Sequence, residues 1–163
     1  MRHYILPTAL LLTMGGCSDV DSHDHDHHHH DHNHGIPTTL DLIIQADDAS
    51  EPLTFRWTDP ENDGDPIIDP IVLTDGSDTE DHAPKTYSVS VRIYADLEEE
   101  TEDLTPEIDE DAAFHQMLFM GDAVSGPATG ENADALVSHA YDDVDSEGLP
   151  VGLLNTFETL ALG

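Results

Sequence analysis

From residue 38 onward, apolar and polar positions alternate with a period of two. This is the pattern of strands that bury one face and wet the other. Leu53, Phe55 and Trp57 share one side against Thr54, Arg56 and Thr58. Tyr87, Val89, Val91 and Ile93 do the same against Ser88, Ser90 and Arg92, and Ala135, Val137, His139 and Tyr141 form a weaker third run. Further strands are expected over residues 39–45, 67–73, 114–120 and 153–160. About seven strands separated by Gly, Pro, Asn and Asp clusters predict an all-β fold, an antiparallel Ig-like β-sandwich. One stretch departs from alternation. Thr105 can N-cap a helix, Pro106 suits its first turn, and Glu107 and Asp109 complement the positive end of its dipole. A single short helix is therefore expected between Thr105 and His115.

Ahead of this domain the chain opens with a cationic Arg2, an apolar stretch from Tyr4 to Met14, and the small residues Gly15 and Gly16. That is the layout of a secretory signal peptide. The apolar stretch is about half of the ~20 residues a membrane-crossing helix needs, which argues for a cleaved leader over a transmembrane anchor. Met14-Gly15-Gly16-Cys17 resembles the lipobox of bacterial lipoproteins, with Met14 where that family usually has leucine. The resemblance implies cleavage before Cys17 and acylation of its thiol. Several acyl chains, each CH₂ contributing ~0.8 kcal/mol of partitioning, give stable anchoring. Ser18 after the cysteine is, by the same resemblance, compatible with sorting to the outer membrane. The expected organisation is a leader over residues 1–16, a lipidated tail over 17–37 and an acidic domain over 38–163. The expected location is the bacterial cell envelope.

The tail changes the chemistry. Eight of the twelve histidines, His23, His25, His27, His28, His29, His30, His32 and His34, stand between Ser22 and Gly35, interleaved with Asp24, Asp26 and Asp31. No core can be built from such a segment, so disorder is expected. Imidazole nitrogen is a favoured ligand for zinc, copper and nickel, and a flexible His/Asp chain can wrap several ligands around one ion. Protons compete for the same nitrogen, so binding should weaken as pH falls through the histidine range.

Charge narrows the partners further. Against 36 Asp and Glu stand only Arg2, Arg56, Lys85 and Arg92, a formal net charge of −32. Nucleic acid is excluded as a partner, because its phosphates would be repelled and no basic stripe exists to neutralise them. Cations are the natural counter-species, and high net charge also favours solubility in a salty habitat.

Within the domain, Asp59, Glu61, Asp63 and Asp65 place acidic oxygens at alternating positions around Gly64, a spacing suited to calcium. An EF-hand would need a glutamate at its twelfth position, where Pro70 stands, so that motif is excluded. Asp143, Asp145 and Glu147 before Gly148 repeat the theme. Both stretches also have the composition of ordinary turns, and the turn reading is the stronger one. If the helix after Thr105 continues, Glu107, Asp111 and His115 recur every four residues along one face and form a third candidate metal site. No phosphate loop, Gly-x-Ser-x-Gly or His-Glu-x-x-His sequence is present, and no enzymatic activity is expected.

The His/Asp-rich tail, the run from Leu53 to Pro66, and Asp103-Leu104-Thr105-Pro106-Glu107-Ile108-Asp109-Glu110 leading into His115-Gln116 together resemble a family of small marine-bacterial lipoproteins. These carry the label "type 1 periplasmic binding fold superfamily protein" and have no firm biochemical activity. The resemblance covers most of residues 40–160, including Gly148-Leu149-Pro150-Val151-Gly152-Leu153. The label denotes a two-lobed α/β fold, whereas this chain lacks the alternating βα pattern that fold requires, so the all-β expectation follows the alternation. Family members carry additional strands beyond the position of Gly163, which implies an unpaired edge strand here. The functional expectation is a metal-binding envelope lipoprotein accessory to metal uptake or homeostasis, with a receptor or transporter of the outer membrane as partner. The alternative is an acidic structural or adhesive surface module with calcium-binding loops.

Overall fold

The longest alternating run becomes the hub of the fold. The computed structural model describes residues 3–5, 36–74, 84–96 and 100–160. Its strands are β1 (His3–Ile5), β2 (Thr39–Ala46), β3 (Leu53–Thr58), β4 (Ile67–Ile68), β5 (Val72–Thr74), β6 (Thr86–Asp96), β7 (Thr101–Asp103), β8 (Val124–Ser125), β9 (Val137–Tyr141) and β10 (Leu154–Thr159). A single α-helix, α1 (Thr105–Glu110), runs into a 3-10 turn at Ala112–Phe114. The fold is mostly β-sheet, as the alternation predicts. Eight strands form one continuous sheet in the order β4-β3-β2-β6-β10-β9-β8, with β7 also on β6, and this sheet curls into a half-barrel. The β1 strand, inside the expected leader, pairs antiparallel with β5.

Register explains the core. Along β6, Tyr87, Val89, Val91, Ile93 and Ala95 are buried while Thr86, Ser88 and Arg92 are exposed. Cross-strand rows Leu53–Ile44–Val89, Phe55–Leu42–Val91 and Trp57–Leu40–Ile93 lie on the same face. One cluster joins these to Leu104 and Ile108 around α1, to Met117, Phe119 and Val124, and to Val137, Leu153 and Phe157. On β3 the row is only half-buried, and Leu53 is 50% exposed, because this strand lies near the β4 end of the sheet. The β2 edge of β6 is engaged from Tyr87 to Tyr94, so β10, at residues 86–90, and β7, at 94–96, share its other edge.

The opposite face carries Arg56 and Arg92. Asp41 lies beside Arg56 on one side and Arg92 on the other. Arg56 donates twice to the buried Asp41 carboxylate, Nε and Nη2 each at 2.6 Å, which raises the guanidinium pKa. Arg92 reaches Asp103 at 3.7 Å, and Lys85 pairs with Asp48 at 2.7 Å. Every described Lys and Arg is thus engaged with a carboxylate.

Three expected elements differ. The strand expected over residues 67–73 divides into β4 and β5, since Pro70 has no N–H to give a ladder and the Asp69 carboxylate takes the Arg56 amide. Residues 114–120 are not a strand. They run from the 3-10 turn into an extended segment that buries Met117 and Phe119 and has one backbone–backbone bond to a distant segment, Met117 N–H to the Val151 carbonyl at 2.7 Å. The helix stops at Glu110 instead of reaching His115, and Leu104, not Thr105, is its N-cap. The Thr105 hydroxyl accepts the Ile93 N–H at 2.9 Å, fastening α1 to β6, and the Asp103 carboxylate receives the Thr105 N–H.

Candidate functional site

Cys17 and the eight tail histidines lie outside the described residues. The domain sites can be located. Asp59 is buried, and its carboxylate accepts the N–H of Asp63 at 3.2 Å and of Gly64 at 3.0 Å. Asn62 and Gly64 have positive φ, the Asp63 carboxylate takes the Asp65 N–H, and Glu61, Asp63 and Asp65 are exposed. The loop is therefore a turn folded around one carboxylate, and its other acids do not converge on it.

The second acidic stretch is tied down more tightly. Asp143 Oδ1 accepts the Gly152 N–H at 2.7 Å, and Oδ2 accepts those of Leu153 at 2.8 Å and Leu154 at 2.9 Å. This carboxylate aligns the chain as it enters β10. Asp145 Oδ1 takes the N–H of Glu147 and Leu149, each at 2.8 Å, and closes the turn through Gly148. A calcium ion at Asp143 would have to compete with these amides.

The third candidate is not assembled as expected. Glu107 lies in α1 and Asp111 is its C-cap, but His115 is extended, beyond the 3-10 turn. The four-residue spacing stacks side chains only on a continuous helix, and this one has ended. Among the described residues, no three or more His, Cys, Asp or Glu group to hold a metal ion.

The structure also shows a buried polar cluster that the strand pattern contained but did not mark as special. The inward positions of β9 and β10 read Val137, His139, Tyr141 and Asn155, Phe157, Thr159, so polar side chains occupy core slots. Asn155 donates Nδ2–H to the Gly152 carbonyl at 2.8 Å, which turns its Oδ1 toward His139 Nε2 at 2.9 Å. The proton then sits on Nε2, and Nδ1 keeps a bare lone pair, buried without a hydrogen-bond partner. Phe119 and Tyr141 pack against the ring at 4.7 and 4.5 Å between centroids. Burial pushes the imidazole pKa below its ordinary value, against the smaller opposing effects of Asn155 and Asp142. A Cβ on Gly126 would fall 3.1 Å from Nδ1, so the ring is roofed by backbone. The imidazole is thus enclosed within the core.

The described residues also form an open hollow. A cavity of about 390 Å³ lies between the 3-10 turn and the Asp145 turn, floored by His115, Gln116 and Leu118 and flanked by Phe114, Leu149 and Pro150. Among the described residues no helix is long and apolar enough to cross a membrane. No family model, curated protein or solved structure matches this chain.

Proposed function

We propose that the protein is an envelope lipoprotein, anchored through Cys17 in the outer membrane, that binds transition metal ions through its histidine-rich tail. The observation that carries this reading is ligand density: eight imidazoles fall between His23 and His34, interleaved with carboxylates. Such a segment offers zinc, copper or nickel three or four nitrogen ligands at once, for more than one ion. The resemblance to small His/Asp-rich lipoproteins supports the same reading. In it, the protein is an accessory to metal uptake or homeostasis, working beside an outer-membrane receptor or transporter. The acidic domain is the folded body behind the tail, with an Ig-like sandwich as its finer architecture. That architecture is supported by one core cluster drawing on β2 at one end of the curled sheet and on β8, β9 and β10 at the other.

Zinc titration by calorimetry on the form beginning at Ser18, with and without residues 22–35, tests the metal reading. The deletion removes most of the binding; equal stoichiometry in both forms overturns the proposal. Replacing Cys17 with Ala releases the protein from the membrane fraction or blocks its processing, whereas unchanged membrane association and mature mass refute the anchor.

A second reading, an acidic structural or adhesive surface module bridged by calcium, is favoured by one observation. The three described Lys and Arg are all engaged in ion pairs, so among the described residues carboxylates far outnumber the fixed cations that could pair with them.

A further inference from the structure

We infer that the hollow between the 3-10 turn and the Asp145 turn is a docking site for a basic segment of a partner protein, one carrying an aliphatic or aromatic residue beside Lys or Arg. This deepens the partner half of the reading above, and does not depend on the tail or its metals.

The hollow is built by backbone. Its floor is held by the Met117 N–H to the Val151 carbonyl at 2.7 Å and by the Tyr141 hydroxyl donating to the Met117 carbonyl at 2.9 Å. Its far wall is the Asp145 turn, closed by the two amide bonds to Oδ1. Such a frame keeps its shape when a partner arrives, which lowers the ordering cost of binding.

Its lining leaves large apolar groups in water. Phe114 is 79% exposed and Leu149 58% exposed, and both edge the cavity together with Leu118 and Pro150. Exposed aromatic side chains such as Phe114 are enriched where protein partners dock. The cavity volume, about 390 Å³, suits one or two side chains inserted from outside. The high exposure of Phe114 marks an open trough rather than an enclosed small-molecule pocket.

Charge then selects the occupant. From Ile93 to the end of the chain there is no Lys or Arg, while Asp109, Glu110 and Asp111 precede one wall, and Asp142, Asp143, Asp145 and Glu147 belong to the other. Both amide bonds of Asp145 fall on Oδ1, so Oδ2 keeps lone pairs for a cationic donor. An anionic lipid surface or a second copy of this chain would be repelled, because each copy carries a net charge of −32. A cationic, apolar-anchored peptide suits both the uncovered carbon and the local excess of negative charge.

The test uses ¹⁵N-labelled full chain in EDTA, titrated with three synthetic peptides: Lys-Leu-Lys-Phe-Lys, Lys-Gly-Lys-Gly-Lys and Glu-Leu-Glu-Phe-Glu. The first peptide shifts the amides of Gln116, Leu118 and Leu149 saturably, and binds at least tenfold tighter than the second. The third does not bind. Phe114→Ser and Leu149→Ser, both at exposed positions, each weaken the first peptide severalfold while leaving the rest of the spectrum in place. Equal affinity of the first two peptides reduces the effect to general charge attraction and overturns the proposal. So does binding of the acidic peptide, shifts that map elsewhere, or indifference to both substitutions. Zinc titration of the same sample is a separate readout, so a tail that binds no metal leaves this result standing, and the reverse.

Discussion

Asp143→Ala isolates the role of one carboxylate. Removing it leaves three N–H groups without their acceptor, those of Gly152, Leu153 and Leu154. Gly152 and Leu153 are buried, whereas Leu154 is 53% exposed and its amide can turn to water. A buried donor left unsatisfied costs about 1 to 3 kcal/mol, so two of them give about 2 to 6 kcal/mol. That is a large share of a domain stability of roughly 5 to 15 kcal/mol. In thermal terms it is a drop of roughly 6 °C or more. The control is Asp145→Ala, whose two amides belong to the exposed Glu147 and Leu149 and can be rehydrated, for a cost of about 1 kcal/mol or less. Urea denaturation followed by far-UV circular dichroism, with the slope checked for constancy, measures both. Asp143→Asn keeps one accepting oxygen and falls between wild type and Ala. The reasoning is refuted if Asp143→Ala loses less than about 1 kcal/mol, or no more than Asp145→Ala.

Three further outcomes are expected. The native His139 imidazole takes up protons less readily than in the unfolded chain, so its contribution is fully present above about pH 6.5 and declines as pH falls below that value. Urea midpoints should therefore drop more between pH 7.5 and 5.5 for wild type than for His139→Gln, and parallel drops would count against it. Gly152→Ala would bring a Cβ to 2.8 Å from the Met117 carbonyl oxygen at φ +91°, while Gly148→Ala at φ +83° meets nothing within 4 Å. The first should cost about 2 kcal/mol or more by thermal melts and the second about 1 kcal/mol; similar losses would show that the close approach is relieved. Melting the protein in calcium and in ionic-strength-matched sodium separates site binding from screening. Because amides engage both oxygens of Asp59 and of Asp143, the two should agree closely, and strong extra stabilisation by calcium would revive the calcium-bridged module.

Much of the sheet was legible because alternation states directly which face is buried. Tyr87 to Ile93 and Leu40 to Ala46 settle both the strands and their common core. Alternation alone does not say whether a run finds hydrogen-bond partners. Residues 115–120 alternate like a strand, burying Met117 and Phe119, yet only the Met117 amide has a backbone–backbone bond to a distant segment. Spacing of four, as at Glu107, Asp111 and His115, has meaning only while the helix lasts, and this one ends at Glu110. The acidic loops look alike in composition. Whether a carboxylate faces solvent or its own backbone depends on chain direction, which Asp143 and Glu147 do not reveal in sequence. His139 stood at an inward position of its alternating run but Asn155 was not singled out, and their pairing needs the β9–β10 register, which places Asn155 opposite Tyr141 and His139 opposite Phe157.

The central position of β6 has a consequence for how the molecule is made. Its first edge is closed by β2, already synthesised when β6 appears, whereas its second edge waits for Leu154 to Glu158, near the end of the chain. Pairings between distant positions form slowly, since the intervening chain must be closed into a loop first. Until β10 arrives, Ser88 and Ser90 lie on an open strand edge able to pair with another chain. A nascent molecule therefore passes through a stage at which half its hub is unpaired, and termination before Leu154 would leave it there permanently.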